Sequence, residues 1–157
     1  MSTTDSMPAP MSGTQASLYQ QLRGHLATLK LTDAAEHLPS VLAQAEAEQW
    51  SMTATLEHLL AREVEATEAR KLAGRLRFAS LPTPATLADF DYDAAPGIER
   101  KLIDELATCR YLESATNVLP IGPPGVGKTH LAVGLARTAA EAGYRTYYTT
   151  AADLAAR

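Results

Sequence analysis

One octapeptide of the chain fits the pattern GxxxxGK[ST]: Gly122-Pro123-Pro124-Gly125-Val126-Gly127-Lys128-Thr129. Its glycines allow backbone angles at which successive N–H groups turn inward toward an anion. Lys128 would place its cation against the β- and γ-phosphates, and Thr129 would offer a hydroxyl oxygen to Mg²⁺. The motif therefore predicts a phosphate-binding loop (P-loop) for a nucleoside triphosphate, and we expect ATP with Mg²⁺ as its ligands.

The residues on either side of the P-loop predict an α/β fold with a parallel sheet. Residues 117–121 have the pattern of a buried strand, residues 128–142 that of a helix, and residues 144–149 that of a second strand. A strand–helix–strand order requires a right-handed crossover between parallel strands. Gly143 is expected to end the helix. Pro120 would remove one hydrogen bond from the first strand, so we expect a local distortion there, such as a bulge.

The N-terminal half predicts a small helical domain. Leucines recur at helical spacing before residue 50, and Ser51 is a suitable N-cap for a long helix from Met52 to Arg77. A further helix is expected from Ile98 to Tyr111. The predicted organisation is a disordered leader at 1–16, a helical N-terminal domain at 17–80, a linker at 81–97 and part of a P-loop domain at 98–157.

Composition limits the functional classes. The 157 residues carry 14 basic and 18 acidic side chains, and the net charge of -4 does not by itself indicate a nucleic-acid partner. Cys109 is the single cysteine, which excludes an internal disulfide and fits a reducing cytoplasm; we interpret it as a small apolar residue. The sequence has no apolar run of the roughly 18 residues that a membrane span needs, so no membrane partner is expected.

Four segments accompany the P-loop as marks of a known family: residues 56–63, 75–77, 85–92 and 149–154. With them the chain resembles the IstB-like ATPases, which are transposition helpers of bacterial insertion sequences and relatives of the DnaC and DnaA group of AAA+ proteins. It implies a helical N-terminal domain followed by the first part of a parallel-sheet AAA+ domain that binds ATP. It also implies transposase and duplex DNA as partners, and homo-oligomers in full-length relatives.

Two groups of candidate site residues accompany the resemblance. The first lies along the long helix and could contact DNA phosphates: Arg62, Arg70, Lys71, Arg75 and Arg77. Interspersed acidic residues leave the alternative of a solvated face of mixed charge open. The second group is Phe90 and Tyr92, which could line an adenine pocket; alternatively, Phe90 only fastens the linker to the core. His130 adjoins the P-loop and joins the predicted nucleotide-binding residues, although packing or capping is an alternative role.

The sequence departs from the family pattern after the P-loop. ATP hydrolysis in this class needs a strand that ends in acidic residues, polar sensor residues and an arginine from a neighbouring subunit. Asp153 is too close to the P-loop in sequence to supply the first. The resemblance implies a C-terminal truncation, so we expect ATP binding without efficient hydrolysis. The alternatives are a DNA- or partner-binding helical module with an idle P-loop and a fragment of a DnaC-like helicase loader.

Overall fold

A computed structural model of the chain describes residues 13–156, and the regular structure in this range is entirely helical. The first twelve residues of the predicted leader lie outside the described residues. The chain divides into two compact units, Met1–Ala69 and Arg70–Arg157, within the third helix. The helices are α1 (Gly13–Thr28), α2 (Thr32–Ala47), α3 (Met52–Ala79), α4 (Arg100–Ala107), α5 (Arg110–Glu113), α6 (Lys128–Glu141) and α7 (Ala151–Ala155).

The first unit has a small apolar core. Buried side chains from α1, α2 and the beginning of α3 form it: Leu26, Ala34, Ala35, Leu38, Val41 and Leu59. The predicted N-cap of the long helix is confirmed, because the Ser51 hydroxyl accepts a hydrogen bond from the Ala54 N–H at 3.2 Å. The helix starts at Met52, as the sequence predicts, and ends at Ala79, two residues beyond the predicted end.

A buried carboxylate joins α2 to α3 in this unit. Glu63 is only 4% exposed, and its Oε2 accepts a hydrogen bond from the Ala34 N–H at 2.9 Å. Ala34 lies in the first turn of α2, which has no side-chain cap of its own. The negative charge therefore satisfies an otherwise unpaired donor and faces the positive end of the helix dipole. Glu63 accordingly does not belong to the solvated face of α3.

The second unit is organised around α4 and α6. Its core contains Phe90, Ala95, Ile103 and Leu131, all buried. Helix α6 ends as predicted at Gly143, whose φ of +103° continues the chain in the left-handed region. The Tyr144 N–H bonds the Ala139 carbonyl at 2.9 Å and the Gly143 N–H bonds the Ala140 carbonyl at 3.2 Å, which is the Schellman arrangement.

The predicted parallel sheet is wrong, since residues 13–156 contain no strand. In the expected first strand, Leu119 is 79% exposed and Ile121 is 91% exposed, so the segment is not buried. Within the described part of the chain, no hydrogen bond joins it to residues 144–149. Apolar and β-branched composition favours strands, but a strand forms only where a neighbour supplies the ladder of hydrogen bonds. Pro120 therefore interrupts no ladder.

One helix is shorter than the sequence predicts. The helix predicted from Ile98 to Tyr111 begins at Arg100 and breaks at Cys109, which has a φ of +62°. The Cys109 N–H bonds the Leu106 carbonyl at 3.0 Å, so α4 closes with a tight turn before α5 begins. The side chain of Cys109 is buried, as expected for a small apolar residue.

Candidate nucleotide-binding site

The P-loop has a backbone that only glycine adopts readily. Gly125 has a φ of +87° and Gly127 a φ of +85°, both in the left-handed region. Helix α6 begins directly after Gly127, and no side chain caps its first turn. Unpaired N–H groups and the positive end of the helix dipole therefore face the space that a phosphate would fill.

Lys128 is turned back onto the start of its own loop. Its Nζ donates hydrogen bonds to the carbonyl oxygens of Gly122 at 2.8 Å and Pro123 at 2.6 Å. The ammonium group is thereby held across the mouth of the loop, and Thr129 beside it is exposed. A cation, a hydroxyl oxygen and free helix amides lie together, which is the donor set that a triphosphate with Mg²⁺ requires.

An apolar cleft of about 410 Å³ adjoins the P-loop. Gly122, Pro123 and Val126 of the loop form one side of it, and the side chains of Ile98 and Leu131 are among the apolar groups that complete it. Its size and apolar lining suit a flat aromatic ring system attached to phosphates in the loop.

The two adenine-pocket candidates line a different cavity. Phe90 and Tyr92 contact each other with ring centroids 4.9 Å apart and border a cavity of about 350 Å³. That cavity contains no P-loop residue in its lining. Phe90 is 8% exposed and belongs to the core of the second unit. This geometry favours the alternative in which Phe90 fastens the linker to the core.

Two histidines, the predicted site residue His130 and His58 of the first unit, have packing contacts. The His130 Nε2 lies 2.8 Å from the Thr86 carbonyl oxygen, and its ring centroid is 5.4 Å from that of Phe90. In the first unit, His58 contacts Trp50 edge-to-face with ring centroids 4.9 Å apart. The His130 contact ties the linker to the first turn of α6, directly after the P-loop.

The basic residues of α3 do not share one environment. Arg62 belongs to the first unit, and the other four candidates, from Arg70 onward, belong to the second. Arg75 is half-buried, and its Nε donates to the Ala140 carbonyl at 2.7 Å, at the C-terminal end of α6. The remaining candidates have exposed side chains: Arg62, Arg70, Lys71 and Arg77.

Neither acidic residue that follows the P-loop is placed to act on a bound phosphate. One is hydrogen-bonded to another side chain, and the other lies far from Lys128. Asp153 is bonded to the N-cap residue Thr150, whose hydroxyl donates to the carboxylate at 2.6 Å and accepts from the Asp153 N–H at 3.1 Å. Glu141 stands at the far end of α6, about 20 Å from Lys128 at 1.5 Å per residue. Across residues 13–156 no group of three or more His, Cys, Asp or Glu side chains could hold a metal ion.

Comparison with known proteins identifies the family. The family described as IstB-like ATP binding protein matches residues 24–157. The chain belongs to this family. A Pseudomonas aeruginosa protein named as an ATP-binding protein of insertion sequence IS21 is 39% identical over 123 residues, which are 78% of this chain and 46% of that protein. In the range that the structure describes, no helix of this IstB-like chain is both long and apolar enough to cross a bilayer.

Two relatives from Bacteroides fragilis are named as IS21-like ATP-binding proteins. One is 36% identical over 126 residues, which are 80% of this chain and 48% of the relative. The other, from strain YCH46, is 34% identical over 141 residues, which are 90% of this chain and 71% of the relative. The IstB-like chain spans about half the length of the Pseudomonas relative and of the first Bacteroides relative.

Sequence reasoning offered Phe90 as a residue that fastens the linker to the core, but it did not identify the glycines on which the linker packs. A Cβ atom on Gly127 would lie 2.5 Å from Cε2 of Phe90, and one on Gly134 would lie 2.6 Å from Cδ2 of Leu87. The available signal was Gly134 itself, because a glycine inside a helix costs about 1 kcal/mol relative to alanine and calls for a packing reason. The partner side chains follow from tertiary structure alone.

Proposed function

We propose that this chain binds ATP at the P-loop and serves as the ATP-binding part of an insertion-sequence transposition helper. The observation that carries the proposal is the open N-terminus of α6 behind two left-handed glycines, with Lys128 at the mouth of the loop. A phosphate would accept hydrogen bonds from the free amides and from the Lys128 ammonium group. Residues 122–130 are the proposed nucleotide-binding residues.

The base of the nucleotide is proposed to enter the apolar cleft beside the loop. Ile98, Val126 and Leu131 are among the apolar residues that line it and could contact a purine. Phosphates in the loop and a base in the adjoining cleft place one ligand across two contiguous sites. The cavity that Phe90 and Tyr92 border has no P-loop residue in its lining and is not part of this proposal.

Magnesium is proposed to arrive with the phosphates, and Thr129 would supply one oxygen ligand. Hydrolysis needs a carboxylate near the γ-phosphate to orient water. Between residues 130 and 156 the carboxylates are Glu141, about 20 Å from Lys128, and Asp153, which is bonded to Thr150. The segment after the P-loop thus offers no carboxylate placed to orient water, and we propose binding of ATP without useful turnover.

Titration with a fluorescent ATP analogue tests the phosphate site. The full chain should bind the analogue in the presence of Mg²⁺, and Lys128→Ala should weaken binding at least tenfold, since a charge-assisted hydrogen bond contributes about 1.5 to 3 kcal/mol. Lys101→Ala is the matched control, because Lys101 is an exposed lysine of the same unit. Equal affinity of the wild type and Lys128→Ala for the analogue would show that the P-loop does not bind its phosphates.

Turnover is tested separately by phosphate release. The wild-type chain should release phosphate from ATP no faster than the Lys128→Ala variant does. Faster release by the wild type would contradict the proposal of binding without hydrolysis. Transposase as a binding partner is tested by pull-down of the chain with the purified transposase of the same insertion sequence, with and without ATP.

A DNA-binding role of the helical part is the second candidate function. The exposed side chains of Arg62, Arg70, Lys71 and Arg77 support it, since exposed cations can neutralise DNA phosphates. A mobility shift on random duplex should weaken steeply as salt rises, and Arg70→Gln together with Lys71→Gln should reduce that salt dependence. Helicase loading would instead be indicated by a replication gene next to the coding sequence.

A further inference from the structure

Residues 86–90 of the linker, called the strap below, contact α6 and the P-loop at three points. The Thr86 carbonyl meets His130, Leu87 packs on Gly134, and Phe90 packs on Gly127. Positions 127, 130 and 134 recur at intervals of three and four, so they share one face of the α6 region. The strap thus follows the helix that begins at the P-loop.

The strap has a defined shape of its own. The Thr86 hydroxyl donates to the Asp89 carboxylate at 2.7 Å and accepts from the Asp89 N–H at 3.3 Å. The Phe90 N–H bonds the Leu87 carbonyl at 3.4 Å, which closes a turn. The strap is therefore a turn, and it presents Leu87 and Phe90 to the α6 region.

The contact with Gly127 is the one that reaches the loop. The Phe90 ring fills the space that a side chain at position 127 would take, with Cε2 at 2.5 Å from an ideal Cβ position. Gly127 has a φ of +85° and directly precedes α6. The direction of the first N–H groups of α6 depends on that torsion. The Phe90 ring therefore contacts the residue whose backbone conformation orients them.

His130 fixes the strap from the other end. A carbonyl oxygen only accepts, so the His130 Nε2 that lies 2.8 Å from the Thr86 oxygen carries the proton and donates it. The imidazole also contacts the Phe90 ring edge-to-face. The residue after Thr129 is thereby tied to the segment that packs on Gly127.

We propose that the strap braces the P-loop, so that Phe90 and His130 are positioning residues for phosphate and do not contact the nucleotide base. The inference rests on the proposed phosphate site and adds how that site is held. A loosened strap would let Gly127 and the first amides of α6 reorient. The affinity for every ligand that carries the polyphosphate group would then fall by the same factor.

Binding of two probes separates positioning from base contact. ATP and inorganic tripolyphosphate compete with the fluorescent ATP analogue for the full chain. Phe90→Leu and His130→Ala should each weaken both ligands on the order of tenfold, the effect of misaligning one charge-assisted hydrogen bond. His130→Gln should restore much of the affinity, because its amide N–H₂ can donate to Thr86. Phe78→Leu and His37→Ala are the matched controls, and both should bind as the wild type does.

Two results would overturn the inference. Loss of ATP affinity with unchanged tripolyphosphate affinity in Phe90→Leu would place the ring at the base. Unchanged affinity for both ligands in Phe90→Leu and His130→Ala would show that the strap does not position the loop.

Failure of the proposed function itself looks different, because the wild type and Lys128→Ala would then bind neither ligand. In that event amide hydrogen exchange of the ligand-free chain tests the brace. Phe90→Leu should speed exchange at residues 125–131 relative to Phe78→Leu, at equal global stability. Unchanged amide exchange at these residues would show that the strap does not brace the P-loop, whether or not the chain binds nucleotide.

Discussion

Arg75 donates a hydrogen bond from Nε to the carbonyl oxygen of Ala140, 2.7 Å away, at the C-terminal end of α6. The same carbonyl already accepts the Gly143 N–H of the Schellman motif. A guanidinium group placed there also faces the negative end of the helix dipole. The P-loop lies at the other end of the same helix, so α6 is held at both termini.

Arg75→Ala should therefore destabilise the second unit. A hydrogen bond from a charged, half-buried donor contributes about 1.5 to 3 kcal/mol, and partial exposure moves the expectation to the lower end of that range. Urea denaturation followed by circular dichroism measures the change. Arg77→Ala, two residues along on α3 and exposed, is the control and should change stability by less than about 0.5 kcal/mol.

Glu63→Leu should destabilise the first unit by about 2 to 3 kcal/mol, because the Ala34 N–H would remain buried without an acceptor. Glu63→Gln keeps an acceptor oxygen and loses only the charge facing the helix dipole, so its cost should be about 1 kcal/mol. Chemical denaturation of both variants gives the ranking. Glu65→Gln on the exposed side of α3 provides the comparison, and an equal effect at positions 63 and 65 would contradict the capping role.

Alanine at Gly127 and at Gly125 should have unequal effects on stability. Both glycines have nearly the same positive φ, so each substitution costs about 1 to 2 kcal/mol of backbone strain. Only position 127 adds a collision with Phe90, since nothing lies within 4 Å of a Cβ at position 125. Thermal unfolding should show the larger loss for Gly127→Ala. Phe90→Leu should reduce that excess in the double variant, and independent effects would argue against direct contact.

Cys109 should react slowly with thiol reagents in the folded chain. Burial raises the pKa of its thiol, and the thiolate is the reactive form. At pH 8, labelling by a disulfide reagent should be much slower in buffer than in denaturant. The folded state also retains the proton at a pH where the unfolded chain releases it, so stability should fall as pH rises above about 8.5. Cys109→Ala should show a weaker alkaline loss.

Local signals predicted the bounds of the two helices α3 and α6 to within two residues. The Ser51 cap and the Gly143 end each depend on one or two residues within a single turn, and both are present. Strands at 117–121 and 144–149 failed because a strand depends on a neighbour, and apolar composition does not specify one. The break at Cys109 also escaped prediction, since cysteine is not a residue that normally takes a left-handed torsion.

The candidate site was likewise predictable only in the part that depends on local sequence. The loop, its lysine and the helix behind it follow from the spacing of one octapeptide. The packing of Phe90 on Gly127 and the bond from Arg75 to Ala140 join residues 37 and 65 positions apart. Such contacts arise from tertiary structure, and no linear pattern marks them in advance.

The hydrogen bonds from Lys128 to the carbonyls of Gly122 and Pro123 have a consequence for selectivity. Two of the three ammonium donors are engaged by neutral carbonyl oxygens of the protein, so a ligand that takes more than one of these donors must displace a carbonyl. A polyanion can do so, since its hydrogen bonds to an ammonium group are about twice as strong as those of neutral carbonyls. A nucleoside without phosphates offers no such group, so we expect the exchange of partners at Lys128 to favour phosphorylated ligands over uncharged ones.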